Sequence, residues 1–323
     1  MTISEDLERE HNIYLKELNG GLFDEYVPPL YHYTSLSSVK LILETKKLRF
    51  TDIRYLNDPG ELISGLKIDD AITSMLIDEF IKKDIHYTRF LLHRKYLFHI
   101  ITSFNSERDL VIDNYKKEAQ DRLGDKIEDF PYREIKIFIS CFSEHDDDLR
   151  QWIPYSDFGS GASIGTRELM EPDHVFCAAN ILKVCYESDA KKHKFLYDFL
   201  LKAYDFHSKV MTNPTLLEEF QNKLYELLII NLIACKSEKY KDEKEWRYLL
   251  AFNDEKEIQK IGFYEKDKLI KPYLDIPIYA QNLSKVKLGP RAETRLNKES
   301  IRQLLTLKGF TSDLVETSSI TYR

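Results

Sequence analysis

Three short segments, set far apart in the chain, hold most of the residue types that do chemistry. They are Leu-Tyr-His-Tyr-Thr-Ser (Leu30 to Ser35), Phe-Ser-Glu-His-Asp-Asp-Asp-Leu-Arg-Gln-Trp-Ile-Pro-Tyr (Phe142 to Tyr155) and Glu-Lys-Glu-Trp-Arg (Glu243 to Arg247). A histidine on a strand offers ribose hydroxyls a donor and an acceptor, one on each ring nitrogen. The plain alternative for His32 is a half-buried ring satisfied by backbone. Trp152 can stack on a planar ring and Arg150 can fork onto a phosphate, or both can serve the core and the surface. Two neighbouring carboxylates, Glu243 and Glu245, repel, which raises the pKa of one and suits it to acid–base work. Their ordinary fate is an ion pair with Arg247. Brought together by a sheet, His32, Tyr155 and the two glutamates make a site for a sugar–nicotinamide ligand. Tyr33, Thr34, Asn57, Arg150, Trp152, Arg247 and Arg291 are the flanking binding candidates. Arg291 follows Gly289-Pro290 and precedes a helix, a setting for holding an anion.

The elements that must position these residues can be read from the pattern. Pro28-Pro29 forces an extended entry into a strand at Leu30–Tyr33, and Ser35 can cap a helix with Leu36, Val39, Ile42 and Leu43 on one face. Leu48–Thr51 reads as a second strand, and Asn57-Asp58-Pro59-Gly60 as a turn into a helix. Helical periodicity runs from Glu61 to about Leu123 in two or three segments, and again over Lys191–Ser237 with a break at Asn213-Pro214. The run from Ile135 to Phe142 alternates as a strand. So does Glu245–Phe252, with Trp246, Tyr248, Leu250 and Phe252 on one face and Glu245, Arg247 and Leu249 on the other. Further strands are expected within 159–166, 175–186 and 286–288, and a last helix near Lys298–Lys308. Blocks of strands and helices without strict alternation predict an α+β fold with a central mixed, mostly antiparallel sheet. We read one domain over residues 1–323, with a lead-in at 1–25 and large helical insertions at 61–125 and 190–237.

Composition narrows the function. Glycine is scarce, 11 in 323 residues, and no phosphate-cradling glycine cluster is present, which argues against a dinucleotide-binding or P-loop fold. A net charge of −7 gives no electrostatic footprint for bulk nucleic-acid binding, although a nucleic-acid target stays open. The acidic loop Glu144–Asp148 tempts toward a metal, but consecutive side chains diverge, so a solvated loop is expected and no metal. A metal-dependent nuclease centred on Asp146–Asp148 ranks last. Cys141, Cys177, Cys185 and Cys235 show no C-x-x-C spacing and read as buried thiols of a cytoplasmic protein. The N-terminus lacks a signal-peptide core, and no stretch approaches the ~18 apolar residues that span a bilayer.

Taken in order, His-Tyr-Thr-Ser, Leu-Arg-Phe-Thr, Asn-Asp-Pro-x-Glu, Cys-Phe-Ser…Trp-x-x-Tyr…Gly and Glu-x-Glu-Trp-Arg resemble the bacterial family called domain of unknown function 2971, from about Leu30 to Gly289. Pro59-Gly60 stands where Pro-aromatic is more usual, and Ile153-Pro154 lies inside the Trp-x-x-Tyr motif. A more distant resemblance is to ADP-ribosyltransferases of the His-Tyr-Glu type. It implies an ADP-ribosyltransferase-like sheet with NAD as substrate and no metal. It gives His32 to the nicotinamide ribose, Tyr155 or Tyr55 to nicotinamide, and Glu245 or Glu243 to the carboxylate that stabilises a ribosyl cation. The implied activity is ADP-ribosyl transfer to a protein or nucleic acid, in toxin or anti-phage biology. The alternative is a module that senses a nucleotide without turnover.

Overall fold

The computed structural model describes residues 2–19, 27–56, 59–125, 135–167, 178–252, 255–266 and 268–322. Its helices are α1 (Ile3–Asn19), α2 (Leu36–Thr45), α3 (Pro59–Phe80), α4 (Ile85–Thr102), α5 (Asn105–Leu123), α6 (Leu149–Tyr155), α7 (Asp189–Val210), α8 (Pro214–Ala234), α9 (Glu255–Ile258) and α10 (Thr294–Leu307). The strands are β1 (Leu30–Thr34), β2 (Lys47–Asp52), β3 (Lys136–Ser143), β4 (Ala162–Thr166), β5 (Ala178–Lys183), β6 (Glu245–Phe252), β7 (Gly262–Lys266), β8 (Leu269–Pro277), β9 (Leu283–Leu288) and β10 (Val315–Thr317). The fold is α+β, with a mixed sheet of ten strands.

The chain forms two compact units, each assembled from three segments. The first takes Met1–Asp24, Ile53–Lys136 and Leu182–Tyr240, and so holds both helical stretches, 61–125 and 190–237. Helices α1, α3, α4, α5, α7 and α8 bury Leu7, Leu76, Ile77, Tyr87, Phe199, Phe220 and Leu224 among themselves. Each such side chain contributes about 1.5–3 kcal/mol by leaving water. One ion pair sits inside this apolar mass: Arg94 Nη1 donates to Asp69 Oδ1 at 2.6 Å. The break between α7 and α8 lies at the expected place. Pro214 opens α8, and Asn213 caps it by accepting from Leu216 N–H at 3.2 Å.

The second unit takes Glu25–Asp52, Ile137–Ile181 and Lys241–Arg323. Its sheet runs β10-β9-β4-β1-β3-β2-β8-β7, and β6 pairs with β3 and β5. The described ladders are antiparallel except β9–β10. Ser35 caps α2 as expected, accepting from Ser38 N–H at 3.1 Å; such a cap contributes ~1 kcal/mol. Val39 and Ile42 of α2, with Ile301 and Leu305 of α10, join the inward residues of the sheet in one core. Trp246, Tyr248, Leu250 and Phe252 belong to it, which puts the alternation of β6 in the predicted phase.

β3 organises the sheet. Glu144 N–H donates to Lys244 O at 3.1 Å, so even-numbered backbone groups of this strand turn toward β6. The odd-numbered ones turn to the other edge, which β1 and β2 share. Tyr31 lies opposite Ser143, and Thr51 opposite Ile139. Between those two contacts the strands diverge, leaving a fork beside Cys141.

Candidate functional site

His32 occupies the fork. Its Nδ1 lies 2.9 Å from the Cys141 carbonyl oxygen, so Nδ1 carries the proton and donates. The ring packs against Phe142 with centroids 5.4 Å apart. Burial holds its pKa below the ordinary histidine value, opposed by the Cys141 hydrogen bond and aided by Lys266. The imidazole is therefore neutral at pH 7, in a fixed tautomer, with Nε2 left as an acceptor.

Glu245 does something different. Arg247 Nε donates to its Oε1 at 2.8 Å and Arg247 Nη2 to its Oε2 at 3.2 Å. Both residues are buried. Their face follows from strand alternation. His32 lies opposite Ile164, and its neighbour Phe142 meets Tyr248 at 5.1 Å. Ile164, Phe142 and Tyr248 all point into the core, whereas Glu245 and Arg247 alternate with Trp246 and Tyr248. His32 and Glu245 thus project from opposite faces of the sheet, so of the two glutamates expected to share a cleft with His32, Glu245 does not.

Nor do Glu243 and Glu245 stand side by side. β6 begins at Glu245, Glu243 ends a 3-10 turn (Glu238–Glu243), and Lys244 between them has a left-handed φ of 47°. That backbone reversal breaks the two-residue period on which a shared face depends. Glu243 instead lies near Tyr155, whose hydroxyl donates to Glu243 Oε1 at 3.5 Å. The Glu243 carbonyl accepts from Ser143 Oγ at 2.7 Å and Gln151 Nε2 at 3.3 Å.

Glu144–Asp148 is a loop, as expected, but it is half-buried and pinned rather than solvated, and a helix follows it. Leu149–Tyr155 is helical, capped by Asp148 Oδ1, which accepts from Arg150 N–H at 2.9 Å. The three aspartates hold three separate sets of partners. Asp146 Oδ2 accepts from Lys285 Nζ at 2.9 Å and Lys287 Nζ at 2.6 Å. Asp147 accepts from Trp152 Nε1 at 2.8 Å, Ser318 Oγ at 2.6 Å, and Ser319 N and Oγ at 2.7 and 2.9 Å. Asp148 pairs with Arg150, which also reaches Asp242 at 2.9 Å. Partial burial alone would raise these three pKa values, but the donors hold all of them below the usual carboxylate range. Sequence alone missed this pinning. The one local signal was Lys285-x-Lys287, two cations on one face of a strand.

The remaining candidates are dispersed. Trp152 is fully buried and meets Tyr33 edge-on at 4.6 Å, which makes it a core anchor and removes it from ligand stacking. The Tyr33 hydroxyl donates to His145 O at 2.7 Å and accepts from Asp148 N–H at 3.2 Å; burial raises its pKa. Thr34 ends β1 opposite Ala162. Arg291 is exposed, its guanidinium 5.7 Å from the Tyr322 ring and its backbone N–H bonded to Gly159 O at 2.8 Å. Tyr55 belongs to the first unit, where its ring meets Phe104 edge-on at 5.7 Å. Asn57 lies outside the described residues.

The family comparison bears on two of the three motifs. Residues 151–248 match the family described as protein of unknown function (DUF2971). That stretch contains Trp152-x-x-Tyr155 and Glu243-x-Glu245-Trp-Arg247, and it supports the resemblance read from the motifs. The segment with His32 lies outside it. No curated protein and no solved structure matches the chain. Among the described residues, no helix is long and apolar enough to cross a membrane, and no group of three His, Cys, Asp or Glu could hold a metal ion.

Proposed function

We propose that the second unit is a nucleotide-binding module that recognises a ribose hydroxyl of an NAD- or ADP-ribose-like ligand at His32, without turnover. The observation that carries this reading is the fixed neutral imidazole. Nδ1 is held by the Cys141 carbonyl, which leaves Nε2 as a lone acceptor at the fork of the sheet. A hydroxyl donor suits that nitrogen. The buried Glu245–Arg247 pair argues against turnover, because a carboxylate tied to a guanidinium is neutralised before any ribosyl charge develops.

A second reading keeps ADP-ribosyl transfer, with Glu243 as the carboxylate and NAD as substrate for a protein or nucleic-acid acceptor. The Tyr155–Glu243 contact favours it. Calorimetric titration of NAD and ADP-ribose into the full chain, with a nicotinamide-release assay alongside, separates the two. The first reading expects saturable binding, no nicotinamide release, and affinity about tenfold weaker in His32→Ala, the effect of one lost hydrogen bond. Release that Glu243→Gln abolishes would establish the second. Absence of binding to either ligand would overturn both.

A further inference from the structure

We propose that Cys185 and Cys235, in the helical unit, are a thiol pair that closes to a reversible disulfide under peroxide. The two residues lie directly opposite one another in an isolated parallel β-bridge. Backbone bonds hold them there: Cys185 N–H donates to Ala234 O at 2.7 Å, and Lys236 N–H donates to Cys185 O at 3.1 Å. Opposed residues of paired strands project to the same side, with the strands about 4.8 Å apart. That separation falls inside the roughly 4.4–6.8 Å between Cα atoms that a disulfide accepts.

A second observation places the two side chains together. Both cysteines line one small cavity of about 40 Å³, with Lys192, Leu196, Leu228 and Leu232 among the other walls. The cavity gives either sulfur room to rotate toward the other. The two thiols differ in access. Cys185 is buried and Cys235 half-buried, so Cys235 meets the oxidant first. Lys192 is itself buried, its ammonium donating to Lys236 O at 2.8 Å. Burial raises the Cys185 pKa above the ordinary thiol value, opposed by the Glu187 backbone hydrogen bond and the Lys192 charge, so Cys185 enters the reaction as the protonated thiol.

The chemistry balances with hydrogen peroxide as oxidant. The Cys235 thiolate attacks one peroxide oxygen, the O–O bond breaks, and the departing hydroxide takes a proton to leave as water. The resulting sulfenic acid is attacked by Cys185 sulfur, which gives up its proton as the second water departs. Two thiols and one peroxide become one disulfide and two waters. The new bond closes a loop containing α7 and α8, and such a loop stabilises mainly by restricting the unfolded chain. In a reducing compartment the bond is transient, and a thiol reductant restores the pair.

The test treats the full chain with hydrogen peroxide, blocks remaining thiols with N-ethylmaleimide, and maps unreduced peptides by mass spectrometry. The expected result is a peptide pair joined through Cys185 and Cys235, lighter by two hydrogens and separated by dithiothreitol. The oxidised protein should melt at a higher Tm than the reduced one. Cys141→Ser should keep the cross-link and Cys235→Ser should lose it. Should Cys235→Ser fail to fold, the wild-type peptide map decides by itself. Both cysteines recovered as maleimide adducts after peroxide, or a cross-link formed only in urea-unfolded protein, would overturn the proposal.

Discussion

Arg247 grips Glu245 from two positions along the same strand, through Nε at 2.8 Å and Nη2 at 3.2 Å, with both side chains buried. The relationship decides what this glutamate is for. Breaking a buried pair strands a charge away from water, and that costs far more than losing a surface contact. We therefore expect Glu245→Gln to lose about 3–5 kcal/mol of stability in urea unfolding. A loss below about 1 kcal/mol, the scale of an unremarkable surface substitution, would return Glu245 to the candidate catalytic residues.

Asp147 should matter to the C-terminal segment. Its carboxylate takes hydrogen bonds from Trp152, Ser318 and Ser319, and bonds to a charged group are worth about 1.5–3 kcal/mol each. Because such bonds do not add in full, Asp147→Ala should destabilise the second unit by at least about 2–3 kcal/mol. Amide exchange at Ser319, whose N–H bonds this carboxylate, should accelerate. Unchanged exchange at Ser319 would show that other contacts hold this segment.

Two glycines permit backbone approaches that no side chain allows. A Cβ at Gly161 would stand 2.2 Å from Thr34 O, and one at Gly289 would stand 2.4 Å from Gly159 O. Neither obstacle is a movable side-chain end. Gly161→Ala and Gly289→Ala should each cost about 1–3 kcal/mol or more, the range for overpacking. Thermal melts of the two variants within 1 °C of the parent, where ~1 kcal/mol moves Tm by a few degrees, would contradict this.

Acid should weaken the helical unit through His11. This residue is fully buried, with rings of Phe195 and Phe199 against it. Burial lowers its pKa to about 4, against the Asn231 hydrogen bond that raises it and with the Lys223 charge that lowers it. The unfolded chain keeps a histidine pKa near 6.5. Above about pH 6.5 both states are neutral and the contribution is complete; as pH falls toward 4 the unfolded state takes up the proton first, and stability drops by about 3 kcal/mol. His207, in the same unit, is shifted in the same direction and steepens the decline. Urea midpoints at pH 7.5 and 4.5 should converge more closely in His11→Gln than in the parent; equal slopes would place the acid sensitivity elsewhere.

Local chemistry was legible in the chain. The extended segment after Pro28-Pro29, the Ser35 cap, the restart of helix at Asn213-Pro214 and the alternation of Trp246, Tyr248, Leu250 and Phe252 each depend on residues within a few positions of one another. Propensity and period therefore suffice to find them. The β7–β8 hairpin escaped, because lysines and aspartates spread through 266–275 erase the alternation of a half-buried strand. The helix Leu149–Tyr155 also escaped, since Pro154 reads locally as a turn.

The candidate site was legible only as a list of residue types. Its geometry depends on pairings more than a hundred positions apart: His32 with Cys141, Asp146 with Lys285 and Lys287, Tyr33 with His145. A strand's period says which of its own side chains share a face. It does not say which face of a neighbouring strand they join, because register is set by the ladder and reverses with a one-residue shift. So the sequence by itself determined that Glu245 and Arg247 lie together, two residues apart on one strand. Only the tertiary structure decided that His32 lies on the other side of the sheet.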